Sequence, residues 1–314
     1  MVESTSPIVS VVMITYMHEA FISEAINGVL MQQCNFDVEL IIADDCSLDN
    51  TKGVVEGFKD HPNYKWINYI RHDNNKGMMG NFMWALEKVS GKYIALCEGD
   101  DYWSDSLKLQ KQLDFLEDND GYSSIFHNVE QRWETIEQSS LYLTDKIYQF
   151  ESRVKLDQLL GENIVPTCSL LFRKESLYKS INTIPWNQLD YGDWPMVLIL
   201  ATNGSVYYQP MISAVRRMNP ASVWGLQDHK KNILKTFRTR AIIKKSGLIE
   251  EKYIVKMKEY EFQLFLQLYD IKESYFFRLA KKSLGKIKRV LDKYSLRYMI
   301  LINAKKFKSA LSIK

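Results

Sequence analysis

Glu98, Asp100 and Asp101 follow directly on the short apolar run Ile94-Ala95-Leu96-Cys97. A run of that kind suits a central parallel strand buried on both faces, so these acids stand where such a strand leaves its sheet. Clustered carboxylates repel one another and cost stability unless positive charge arrives. The chemistry that would use them is the capture of a divalent cation carrying a phosphorylated ligand. Mg²⁺ and Mn²⁺ prefer oxygen ligands and complete their shells with substrate phosphates. A solvated acidic turn is the competing reading of this segment taken alone.

A second acidic strand end favours the ligand. Asp44 and Asp45 close the stretch Glu39-Leu40-Ile41-Ile42-Ala43, and Cys46-Ser47-Leu48-Asp49-Asn50-Thr51 follows, with Ser47 or Asp49 placed to cap a helix. A third strand, residues 8–15, runs into Thr15-Tyr16-Met17-His18-Glu19. Open α/β sheets bind their ligands just beyond the C-terminal ends of their strands, which is where all three segments deliver polar groups. Blander readings stand beside these. Tyr16 would serve as a strand-end aromatic closing the core, Asp44 and Asp45 as turn caps, and His127 as a satisfied histidine at the core edge.

The elements that must position these groups alternate along the chain. Residues 21–31 carry apolar side chains at helical spacing, 65–70 read as a strand, 80–89 and 106–116 as helices, and 93–97 as the strand ahead of the acids. Such alternation implies a parallel sheet with right-handed crossovers. Residues 122–150 read as added strands and a loop, 154–160 as a helix, 168–172 as a strand, 193–201 as a helix opening at Asp193, and 206–215 as the last strand. From about residue 226 the pattern is helical. The chain of 314 residues, 46% hydrophobic, has material for one large domain plus an extension. Its four cysteines show no paired framework and its five histidines no zinc-ligand spacing. With no signal-peptide pattern at the N-terminus, a reducing cytoplasm is the expected compartment.

Read together, Val9-Ser10-Val11-Val12-Met13-Ile14-Thr15-Tyr16, the segment 39–45, Glu98-Gly99-Asp100-Asp101-Tyr102-Trp103, Gly192-Asp193-Trp194-Pro195, Arg217 and Ser222-Val223-Trp224 resemble the family 2 glycosyltransferases, and among them bacterial enzymes of surface-polysaccharide synthesis. The resemblance covers residues 8 to about 224. It implies a GT-A fold: a Rossmann-like, mixed but mostly parallel central sheet flanked by helices. It also implies a nucleotide-sugar donor, UDP-linked by family habit, and an inverting single displacement onto a hydroxyl of a glycan or lipid-linked acceptor. Thr15 and Tyr16 then match the position that lines the nucleobase, with Glu19 following. Asp44 matches the carboxylate that bonds the base, and Asp45 lies beside it. Glu98-Gly99-Asp100 matches the DxD motif, placing Asp100 at the divalent metal (Mn²⁺ or Mg²⁺), Glu98 near the ribose and Asp101 next to both. Asp193 matches the general base, although an N-cap is its other reading. Arg217 matches a basic residue that meets the pyrophosphate or acceptor. This chain departs from the family at Glu98 (usually aspartate), at Met17 (commonly asparagine) and at Asn219 (often histidine).

The overall charge of +3 is unevenly spread. Residues 278–314 hold twelve Lys or Arg against one acid, Asp292, a net +11 that leaves −8 for the rest. An acidic body with a basic tail does not suit nucleic acid. It suits an enzyme leaning on an anionic surface. No apolar run reaches the roughly 18 residues of a spanning helix. In the tail, Phe276, Phe277, Leu279, Leu284, Ile287, Val290 and Leu291 interleave with lysines and arginines, the pattern of a basic amphipathic helix lying on anionic lipid. Packing of that helix on the body is the alternative. The expected organisation is a hexosyltransferase-type catalytic domain, 1–224, and a basic helical extension, 225–314, peripheral at the inner membrane face. Two other functions remain open: a non-catalytic nucleotide-sugar-binding scaffold on the same fold, and a nucleotidylyltransferase. The glycine- and arginine-bearing loop of the latter is absent after the first strand.

Overall fold

The computed structural model describes residues 7–133, 136–143, 152–218 and 229–268. The chain divides into two compact units, Met1–Leu226 and Gln227–Lys314. In the first, β1 (Val9–Thr15) is buried at almost every position, as a strand covered on both faces must be. It pairs in parallel with β2 (Val38–Asp44) on one side and β4 (Tyr93–Leu96) on the other. β3 (Ile67–Arg71) extends the ladder beyond β2, again in parallel. The crossovers contain α1 (Ile22–Leu30), α2 (Thr51–Glu56) and α3 (Met78–Glu87). In α1 the buried Ile22, Ala25, Ile26 and Val29 recur at the spacing of one helical face.

Past β4 the sheet becomes mixed. β9 (Leu171–Arg173) runs antiparallel to both β4 and β6 (Tyr122–Trp133). β10 (Ser205–Arg217) is parallel to β6 and antiparallel to β5 (Tyr102–Trp103). The order is β3-β2-β1-β4-β9-β6-β10-β5, with β7 (Gln138–Leu141) paired to β6 and β8 (Ser152–Val154) to β10. Most of the paired length is parallel. The chain winds outward from β1 in both directions, and that switch point opens a crevice at the C-terminal ends of β1 and β4.

Three further helices pack on this sheet, α4 (Lys108–Asp118), α6 (Lys174–Tyr178) and α7 (Asp193–Asn203), and α5 (Leu156–Leu159) packs on α7. In α7 every residue from Trp194 to Leu200 is buried, so the helix carrying Asp193 is anchored in the core. Among the segments read from sequence, 154–160 shortens to α5, preceded by β8; α6 was not anticipated. Neither candidate cap occupies the N-cap of α2, which is Asn50 with no side-chain cap bond; Asp49, one residue earlier, accepts on Oδ1 from the Thr51 N–H (3.1 Å) and hydroxyl (2.6 Å). Ser47 instead accepts the Met17 N–H through its hydroxyl oxygen, at 2.8 Å. Cys97 and Cys168 are buried and Cys34 and Cys46 half-buried, all free thiols.

The second unit contains α8 (His229–Ser246) and α9 (Glu251–Leu268), joined by Lys244, whose ammonium donates to both carboxylate oxygens of the buried Glu261. Among the described residues no helix is long and apolar enough to cross a membrane. The basic stretch 278–314, Asn219 and the Ser222-Val223-Trp224 segment lie outside the described residues.

Candidate functional site

A cavity of about 500 Å³ opens at the switch point. Its walls bring together Thr15 and Tyr16 from the end of β1, Asp45 after β2, Glu98, Asp100 and Asp101 after β4, Asp193 at the start of α7, and Arg217 at the end of β10. Register explains the first convergence. Thr15 pairs with Asp44, so β1 and β2 end together. After β4 the chain stays beside β1, with Cys97 N–H donating to Val12 O (3.1 Å) and Gly99 N–H to Ile14 O (3.0 Å). Glu98 is thereby held alongside Thr15.

Two residues expected at the nucleotide do not reach the cavity wall. Asp44 is the last residue of β2 and fully buried. Its Oδ1 accepts the Ser47 N–H (2.8 Å) and its Oδ2 the Tyr69 hydroxyl (2.6 Å). Glu19 is exposed and its carboxylate accepts the Asn50 N–H (2.6 Å), clamping the turn before α2. Asp45, one residue on, is the acid that faces the cavity. Its Oδ1 accepts the Lys76 N–H (2.6 Å) and its carbonyl accepts the Asn75 amide (3.1 Å), so the loop ahead of α3 is tied to the site. Tyr16 is 42% exposed, which leaves its ring available to a ligand rather than closing the core.

Three polar atoms beside Gly99 are buried and have no hydrogen-bond partner: Thr15 Oγ1, His18 Nδ1 and Glu98 Oε2. A Cβ at Gly99 would stand 2.7 Å from Thr15 Oγ1 and 2.9 Å from His18 Nδ1. No side chain fits there, so glycine lets the backbone after β4 pack directly against Thr15 and His18. His18 was not among the expected ligands.

The carboxylates after β4 are electrostatically uncomfortable. Burial and the charges of Asp101 and Asp100 push the Glu98 pKa well above the carboxylate range, and burial with the Asp100 charge does the same to Asp101. Among the described residues no group of three or more His, Cys, Asp or Glu is arranged as a ready cation cage. The unsatisfied Glu98 oxygen and the mutual repulsion of the three acids do fit a cation that shares its shell with a ligand's own oxygens.

β10 supplies two arginines with different duties. The Arg217 side chain is 2% exposed. Its guanidinium donates to Asp100 O (2.9 Å), pairs with Glu24, and stacks 4.5 Å from the Tyr102 ring. Its own N–H donates to Asp101 Oδ1 (2.9 Å). Arg217 therefore braces the acidic loop. Arg216 also lines the cavity; burial opposes its charge, but Asp101, Tyr142 and Asp193 around it raise its pKa further. Only Arg217 was expected from sequence.

Asp193 does not cap α7, which has no side-chain cap bond. Its Oδ2 accepts the Asn163 amide (2.9 Å), and its Oδ1 is buried with no partner. Next to it, a Cβ on Gly192 would come within 2.5 Å of Met79 Cε and 3.0 Å of its sulfur, so the thioether packs flat on the glycine. Met79, Tyr191 and Met196 give this part of the cavity an apolar wall. His127 ends up inside the core: its Nδ1 bonds Asn128 O (2.6 Å) while Nε2 has no partner, and burial holds its pKa down at about 3.

Comparison with known proteins places this geometry in a family. The model described as Glycosyl transferase family 2 matches residues 10–179. An uncharacterized protein of Mycobacterium tuberculosis is 33% identical over 216 residues, 68% of this chain and 60% of that protein. The chain thus spans about 60% of the length of the mycobacterial relatives it matches. The UDP-Glc:alpha-D-GlcNAc-diphosphoundecaprenol beta-1,3-glucosyltransferase WfaP of Escherichia coli is 32% identical over 110 residues, 35% of this chain and 41% of that protein. Among solved structures, S. aureus TarS 1-349 in complex with UDP-GlcNAc superposes with a TM-score of 0.65 at 15% identity, covering 96% of this chain and 89% of that one. At that identity the likeness is one of fold, the GT-A arrangement expected from sequence.

Proposed function

The chain belongs to glycosyl transferase family 2, and from that premise we propose that it is an inverting hexosyltransferase. It would move a sugar from a nucleotide-diphosphate donor, a UDP-sugar, to a hydroxyl of a glycan or lipid-linked acceptor in cell-surface polysaccharide synthesis. The names of WfaP and of the TarS complex support this choice of donor and acceptor class. The observation that carries the reading is that an acidic strand end and a separate, half-satisfied carboxylate, Asp193, face one cavity.

The nucleobase and ribose lie against Thr15, Tyr16 and Asp45, with Asp44 and Glu19 holding the turns behind them and Glu98 beside the ribose. Asp100, with Glu98 and Asp101 next to it, would hold a divalent cation, Mn²⁺ or Mg²⁺, which when bound neutralises charge on the departing diphosphate. Arg217 keeps that acidic loop in place. Asp193 takes the acceptor proton on Oδ1. The acceptor oxygen bonds to the anomeric carbon as its bond to the phosphate oxygen breaks, and the nucleoside diphosphate leaves with the electron pair. The apolar wall beside Asp193 excludes water that would otherwise compete with the acceptor. The basic tail holds the enzyme at the cytoplasmic face of the membrane, where a lipid-linked acceptor is presented.

A thermal-shift screen of nucleotide sugars, each with and without Mn²⁺, tests the reading. A specific donor stabilises the native state by mass action. The expected result is a cation-dependent rise with one UDP-sugar and slow hydrolysis of that compound. No stabilisation by any nucleotide removes the donor assignment. Stabilisation with no hydrolysis or transfer leaves a binding scaffold instead.

A further inference from the structure

Asp193 is held by a neighbour that neither the family pattern nor the cavity wall singles out. Asn163, in the loop after α5, donates from Nδ2 to Asp193 Oδ2 at 2.9 Å. Its amide orientation is set by the chain: Oδ1 accepts the Val165 N–H at 3.0 Å, so the NH₂ group must face the carboxylate. Its backbone is set as well, since Asn163 O accepts the Tyr142 hydroxyl at 2.7 Å. Asn163 is therefore fixed at three points, and one of the two Asp193 oxygens is occupied. The other, Oδ1, is buried and unpartnered.

We propose that Asn163 is the positioning residue that makes Asp193 a directed base, tying down Oδ2 so that Oδ1 alone is presented to the acceptor hydroxyl. This rests on the reading of Asp193 as the base. The charged and titratable groups facing Asp193 from other elements are Arg216 at the end of β10 and Tyr142 beyond β7, with Glu162 beside Tyr142. Arg216 brings a charge to the carboxylate. Asn163 supplies the direction.

The test compares full-length Asn163→Ala, Asn163→Asp and Asp193→Asn with wild type, with donor concentration varied and the melting temperature of each variant recorded. Asn163→Ala is expected to lower kcat about tenfold and to leave the donor KM within twofold. Asn163→Asp retains an oxygen for the Val165 N–H, so it preserves the loop, yet it replaces the donor to Asp193 with a second carboxylate, and its kcat is expected to fall at least as far with the melting temperature kept. Loss of a merely structural contact would lower the melting temperature and leave kcat of the folded protein at the wild-type value. Variants whose kcat overlays wild type overturn the proposal. Wild-type turnover by Asp193→Asn has a different meaning: it removes the base itself, and with it the parent reading.

Discussion

Glu98 and Asp101 are acids that the fold makes weak, with pKa values pushed up to about 8 and about 7 by burial and by their neighbours' charges. For Glu98 the folded value lies above the ordinary 4.5, so its contribution to stability is fully present below that value and is lost as pH rises through about 8. His127 and Lys108, both buried and both depressed, add pH dependences of their own. A comparison of isosteres cancels them. Metal-free Glu98→Gln should melt at the same temperature as wild type near pH 4.5 and progressively higher than wild type towards pH 8. Melting curves in chelator check this, and parallel curves at all pH values would refute it. With Mn²⁺ and a nucleoside diphosphate the order should reverse, because the ionised acid is then useful. At this scale the sequence was legible in residue type but not in direction. Two acids in a row, Asp44-Asp45, and two arginines in a row, Arg216-Arg217, each split between roles. Successive side chains of a strand leave on opposite faces, so only the fold shows that Asp45 and not Asp44 meets the cavity, and that Arg216 and Arg217, both on its wall, hold different partners.

The turn after β1 shows what an element asks of its sequence. Met17 has φ +56°, a left-handed conformation that costs a non-glycine residue about 1–2 kcal/mol and that asparagine tolerates best. The asparagine that the family resemblance leads one to expect here thus has a backbone reason. Met17→Asn should raise stability by about 0.5–1 kcal/mol. A guanidinium titration measures it, and a lowered midpoint would show that the Met17 side chain contributes packing its 48% exposure does not suggest. The parallel half of the sheet was readable because β1, β2 and β4 are continuous apolar runs of strand length. The antiparallel half was harder. β10 is broken by register shifts around Gln209 and Ile212, where Pro210 lacks an N–H for the ladder. Its far end at Arg217, which closes the site, therefore falls outside the regular pattern.

For the whole molecule, the division after Leu226 leaves every described residue that lines the cavity in the first unit. The charge follows the same division, since the net +11 of residues 278–314 belongs wholly to the second unit. A chain ending at Asp270 should keep donor binding and lose its attachment to vesicles of anionic lipid, with the full chain shifted off by salt. Co-sedimentation with such vesicles decides it; equal partitioning of both chains would assign the tail another task. The family could be recognised in the sequence because its signature residues cluster at strand ends. Asn163 could not, since a single asparagine in a loop resembles any other until the fold carries it to α7.

The contact between Gly192 and Met79 has a practical corollary. The width of the chamber next to Asp193 is governed by a residue without a side chain and a thioether leaning on it. Even one added methyl group at Gly192 would stand 2.5 Å from Met79 Cε and force the thioether tip to move. The calibre of the pocket is thereby adjustable while every acid stays in place.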